Sequence, residues 1–149
     1  MTQAEMNYAS LRLYEIGTKL FSELCKEESC VTNDEKYVVS ACFDAEPFEV
    51  YLKMSVFPEN GLVTFFSVLP FEVSPVKVSE FARLICATNY DEMYAGNFDF
   101  SPSSGKVVFR LALPFRGSIL SEDLIRESIH YCIDTVSKNN SALFEASRE

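Results

Sequence analysis

The chain has 149 residues, of which 48% are hydrophobic and thirteen are Phe; twenty-two acidic against thirteen basic side chains give a formal net charge of −9. That length holds one domain, burying roughly 68–70% of the surface its unfolded chain would expose, and such a hydrophobic content excludes global disorder. With no Lys/Arg run to offset it, the negative balance argues against nucleic acid and favours basic protein surfaces as partners.

The first predicted element is a helix over about 4–26. Met6, Ala9, Leu13, Ile16, Leu20 and Leu24 recur there at three- and four-residue steps as one apolar stripe. Gly17 inside it costs ~1 kcal/mol relative to Ala. KEESCVTNDE reads as a charged loop, so 1–30 forms an N-terminal helix and loop. YVVSACF (37–43) is strand-like. FEVYLKMSVF (48–57) alternates, with Phe48, Val50, Leu52, Met54 and Val56 on one face and Glu49, Tyr51, Lys53, Ser55 and Phe57 on the other. Asn60-Gly61 supplies a tight turn into a return strand, which Pro70 is expected to end by removing a ladder donor.

Ser74-Pro75 marks a helix start, with Val78, Phe81, Ala82, Ile85 and Asn89 along one face to about residue 91. A short strand at 97–101, a Pro-Ser-Ser-Gly turn and a strand at 106–113 follow. Ser121 caps the last helix, with Glu122 and Asp123 at its positive end. Ile125, Ile129, Cys132, Ile133 and Val136 give its core stripe, extended by Leu143, and the tail at 140–149 is expected to fray. The order α-β-β-β-α-β-β-α predicts one α+β domain over 1–149, an antiparallel sheet packed by helices.

Chemistry is sparse. The sequence has no P-loop, G-x-S-x-G elbow or dinucleotide motif. His130 is the sole histidine, and the five cysteines include no C-x-x-C pair, so no zinc site and no cofactor are expected. A Cys25/Cys30 redox pair stays open beside the reading of reduced cytosolic thiols. Cys86 and Cys132 fall at or near helix stripes, as core residues. The N-terminus lacks the regions of a signal peptide, and no apolar run approaches the ~20 residues that span a bilayer. A cytoplasmic, non-enzymatic protein is expected.

The most informative feature is an echo. GLVTFFSVLPF (61–71) and GKVVFRLALPF (105–115) share Gly, Val, Phe, Leu, Pro and Phe at the same six places, and differ at Phe66 against Arg110. The shared residues face the helices. On the other face the second copy is mixed, whereas the first is mostly apolar, and exposing its large side chains forgoes about 1.5–3 kcal/mol each. Two readings stay open: a strand covered on both faces by its own chain, or an exposed patch of Tyr51, Phe57, Leu62, Phe66 and Val68 for another chain.

NYDEMYAGNFDFSPSSGKVVFRLALPFRGSILSEDLIRESI also resembles the second half of YbjN-type proteins, described as bacterial sensory transduction regulators. The pattern is a helix ending in Asn89, a strand with Gly96, Phe98 and Phe100, and a strand with Gly105, Val107, Phe109, Arg110, Leu113 and Pro114. The resemblance spans about 35–136 by element order and 89–130 by residue pattern. That family is similar in fold to type III secretion chaperones. It implies no catalytic site, a homodimer, and a surface that captures segments of other proteins. The family's dimer contact through the second helix would here use Val76, Arg83, Leu84 and Ala87. A dedicated type III secretion effector chaperone and a thiol-redox or other enzyme are the alternatives.

Overall fold

Each helix presents aromatic or aliphatic side chains to the same side of one sheet. The computed structural model describes residues 1–117 and 120–149; Ser118 and Ile119, within the family-like stretch, lie outside the described residues. In chain order the elements are α1 (Gln3–Leu24), β1 (Val31–Asn33), β2 (Val38–Phe43), β3 (Val50–Phe57), β4 (Leu62–Glu72), a 3₁₀ turn at Pro75–Lys77, α2 (Val78–Glu92), β5 (Asn97–Phe100), β6 (Lys106–Pro114) and α3 (Glu122–Ser147). The strands form one antiparallel sheet in the order β1-β2-β3-β4-β6-β5. This is the expected α+β fold.

Alternation places Val39, Ala41, Val50, Leu52, Met54, Val56, Val63, Phe65, Phe98, Val107 and Phe109 in the core beneath the helices. Ring pairs fix each helix there. Phe21 of α1 meets Phe43 at 5.4 Å, Phe81 of α2 meets Phe100 at 5.1 Å, and Tyr131 of α3 meets Phe109 at 6.5 Å. Thr2 and Ser121 cap α1 and α3, accepting from Glu5 N–H at 3.2 Å and Leu124 N–H at 3.1 Å. Gly17 has a packing reason: a Cβ there would collide with Cε and Sδ of the buried Met54.

Four expectations are corrected. The loop at 26–35 contains strand β1. Its hairpin is tied to α1, where Tyr14 Oη donates to Asp34 at 2.5 Å and its ring lies 5.5 Å from that of Tyr37. Composition shows no such long-range tie. Pro70 does not end β4, which runs to Glu72 through a register shift between Val68 and Glu72; the irregularity absorbs the missing donor. Ser74 does not cap a helix. Its N–H donates to Ser147 O at 2.7 Å and its hydroxyl to Glu149 at 3.2 Å, and a 3₁₀ turn precedes α2.

That same Ser74 contact bears on the fourth correction. The tail does not fray at 140; α3 continues to Ser147. Phe48, Phe71 and Phe144 form a triangle of rings 5.4–6.3 Å apart, and the Arg148 guanidinium sits 5.0 Å over Phe144.

The echo becomes geometry. The two copies are antiparallel neighbours, pairing Leu62 with Pro114, Thr64 with Ala112 and Phe66 with Arg110. The central residues of the two eleven-residue motifs therefore face each other, and a local two-fold axis passes between them. The irregularity after Val68 breaks the symmetry at one end.

Candidate binding face of the sheet

The face opposite the helices is open: among the described residues no helix packs on it. Pairing registers sort its side chains into rows across the strands. One row is Phe57, Leu62 and Pro114, and the next is Ser55, Thr64 and Ala112. Then comes Lys53, Phe66 and Arg110, followed by Val68 and Val108, with Tyr51 next along β3. Successive rows lie about 7 Å apart, two residues of strand rise.

The five residues of the expected patch therefore share this face but not one contiguous cluster. Phe57 and Leu62 sit at one end. Phe66, Tyr51 and Val68 gather toward the other, and the Ser55–Thr64–Ala112 row separates the groups. Phe57 is 45% exposed, Tyr51 39% and Val68 36%; Leu62 and Phe66 are half-buried. Phe66 is half-covered because its strand neighbours lean on it. Lys53 Nζ is 5.3 Å from the ring centroid and Arg110 Cζ is 5.7 Å, both within cation–π range.

Beside this row is a concavity of about 280 Å³, lined by Phe66, Val108, Arg110, Lys106, Asp99 and Phe100 among others. Sequence reasoning gave Lys53, Lys106 and Val108 no role beyond their places in the strand alternation. Their signal was there in the alternation, but only the pairing register brings them to Phe66. A second apolar groove of about 470 Å³ lies between the N-terminal half of α1 and Phe115 and Leu120.

The family-like residues have physical roles at the β5 edge. Asn89, near the end of α2, accepts from Phe98 N–H at 2.9 Å and donates to Phe98 O at 2.8 Å. Its side-chain amide thus occupies the place a further strand would take. Asp99 Oδ1 accepts from Phe100 N–H at 2.9 Å on the same strand. Gly96, at φ 75°, is required where a Cβ would come 2.7 Å from Arg110 O, and Gly105, at φ 77°, where it would come 2.6 Å from Val73 O.

The expected dimer residues lie around α2. Val76, Arg83 and Ala87 are exposed, and Leu84 is half-buried against the core. Cys86 is a correction: it is exposed, because the buried stripe of α2 is Phe81, Ile85 and Thr88. Cys132 is buried, and desolvation pushes its thiol up to about 12. Cys25, Cys30 and Cys42 are half-buried, and all five thiols are free. His130 is exposed on α3. Among the described residues no three His, Cys, Asp or Glu side chains converge to hold a metal ion, and no helix is long and apolar enough to cross a membrane.

Three helices on one face of a six-stranded antiparallel sheet define an α+β fold. The structure is similar to a chain in the crystal structure of the ExsC–ExsE complex, with a TM-score of 0.63 and 14% sequence identity over 89% of this chain and 93% of that one. At that identity the likeness is one of fold. No family model matches the sequence, and no curated protein matches it significantly.

Proposed function

We propose that this chain is a non-enzymatic, protein-binding module of the YbjN/secretion-chaperone-like class, capturing segments of partner proteins on the outer face of its sheet. The observation that carries the reading is the helix-free face, where Tyr51, Phe57 and Val68 stay exposed around a half-buried Phe66. A monomer gains nothing from leaving such side chains in water. The exposed part of α2 around Val76, Arg83 and Ala87 is the surface proposed for a homodimer.

The fold likeness to a chain that is itself in a complex, ExsC–ExsE, lends support to a protein partner. It also favours a second, narrower reading: a chaperone dedicated to one secreted protein. Pull-down with wild type and Phe66→Arg tests the proposal. Wild type is expected to retain partners that a folded Phe66→Arg variant loses; unchanged partners on a folded variant sink it. One stoichiometric partner, rather than several, favours the narrower reading.

A further inference from the structure

Basic side chains gather around Phe66 on the outer face, against the negative charge of the whole chain. The protein carries −9 in total, yet Lys53 and Arg110 flank Phe66 in one row and Lys106 lines the adjoining concavity. Among the described residues none of the three has a carboxylate within ion-pair distance, nor have Lys36, Arg83, Arg116 and Lys138, but only these three gather on one face. Two carboxylates share this face without reaching ion-pair distance of these cations. Asp99 accepts from its own strand's Phe100 N–H, and Glu72, the register partner of Lys106, forms no pair with it.

Resting on the proposed binding role of this face, we infer that it takes an extended segment carrying a carboxylate between apolar side chains. The carboxylate sits against Lys53 and Arg110, where a guanidinium fork offers two parallel hydrogen bonds. The row spacing sets the pattern. Running along β4, the segment meets the Tyr51–Val68–Val108 group two residues beyond the carboxylate, and the Phe57–Leu62 pair four residues before it. The occupant is thus apolar at i−4, acidic at i and apolar at i+2. This reverses the partner charge expected from composition, since a bound segment feels the local face more than the distant surface charges that salt screens.

The test uses two labelled peptides, Leu-Thr-Ser-Thr-Glu-Thr-Leu and its Glu-to-Lys counterpart, with fluorescence anisotropy at low and high ionic strength. Wild type is expected to bind the Glu peptide about tenfold tighter than the Lys peptide, a gap that narrows with salt. Lys53→Glu/Arg110→Glu is expected to reverse the preference, and the milder Lys53→Gln/Arg110→Gln to abolish it; circular dichroism checks both folds. Equal or tighter binding of the Lys peptide, an unchanged preference in the variants, or no binding of either peptide at about 1 mM overturns the inference. Equal binding of both peptides that Phe66→Arg weakens overturns the charge assignment while leaving the binding face standing.

Discussion

Phe66 and Arg110 lie directly opposite each other on β4 and β6, with the guanidinium carbon 5.7 Å from the ring centroid. They are also the central positions of two motifs that share six of their eleven residues, and they are among the five that differ. Sequence divergence and spatial contact therefore coincide at this cross-strand pair, and Lys53 extends it to a row on the other side.

That row makes a swap informative. Phe66→Arg alone places a new guanidinium between Lys53 and Arg110, and like charges directly opposite destabilise a sheet. Exchanging both residues, Phe66→Arg with Arg110→Phe, leaves one unfavourable contact, Lys53 against the introduced guanidinium. Urea unfolding is expected to rank wild type above the double exchange and the double exchange above Phe66→Arg, with steps of about 0.5–1 kcal/mol. A double exchange less stable than the single variant would rule out the cross-strand account.

Asn89 is the edge cap. Asn89→Ala leaves the Phe98 N–H and C=O without their partners, and is expected to cost about 1–3 kcal/mol. It also exposes a strand edge that can recruit another chain. The melting temperature should fall, and size-exclusion chromatography should show new high-mass species. A variant with unchanged melting and elution would show that the amide is dispensable.

Asn140 on α3 is fully buried, and neither its Oδ1 nor its Nδ2 has a hydrogen-bond partner among the described residues. A side chain of similar volume without polar atoms removes that desolvation cost. Asn140→Leu is expected to raise stability by about 1–2 kcal/mol, read as a higher urea midpoint with unchanged slope. A lower midpoint would mean that the amide is satisfied in solution.

The thiols separate by burial. Cys86 should label first with a thiol reagent, and Cys132 only as the chain unfolds. Because burial lifts Cys132 from 9.0 to about 12, the native state keeps a proton that the unfolded chain releases. Its contribution is intact below pH 9 and lost as pH rises toward 12. Cys132→Ala should be less stable at neutral pH by about 1 kcal/mol, yet decline less steeply above pH 9. Parallel curves for the two proteins would remove Cys132 from the alkaline transition. Rapid reversible oxidation linking Cys25 and Cys30 would revive the redox alternative.

Periodicity made most of the fold legible. The stripe from Met6 to Leu20, the alternation from Val50 to Val56 and the Ser121 cap all stand where the residues placed them. What escaped was set by distant partners. Tyr14 holding Asp34, Ser74 meeting Ser147, and the rings of Phe48, Phe71 and Phe144, far apart in sequence, are contacts that no local pattern announces. The open face of the sheet was half legible for the same reason. Alternation put Tyr51, Phe57, Leu62, Phe66 and Val68 on one side, but the register that splits them and adds Lys53 and Arg110 is a pairing property.

The two rims of the sheet are unlike. At β5, Asn89 closes the outward backbone groups of Phe98, whereas β1 offers three exposed residues whose outer backbone groups meet no partner among those described. A sheet with two open rims can stack copy upon copy into a fibre. One with a single open rim reaches completion when two molecules meet there. Pairing through the sheet rims alone therefore stops at two molecules.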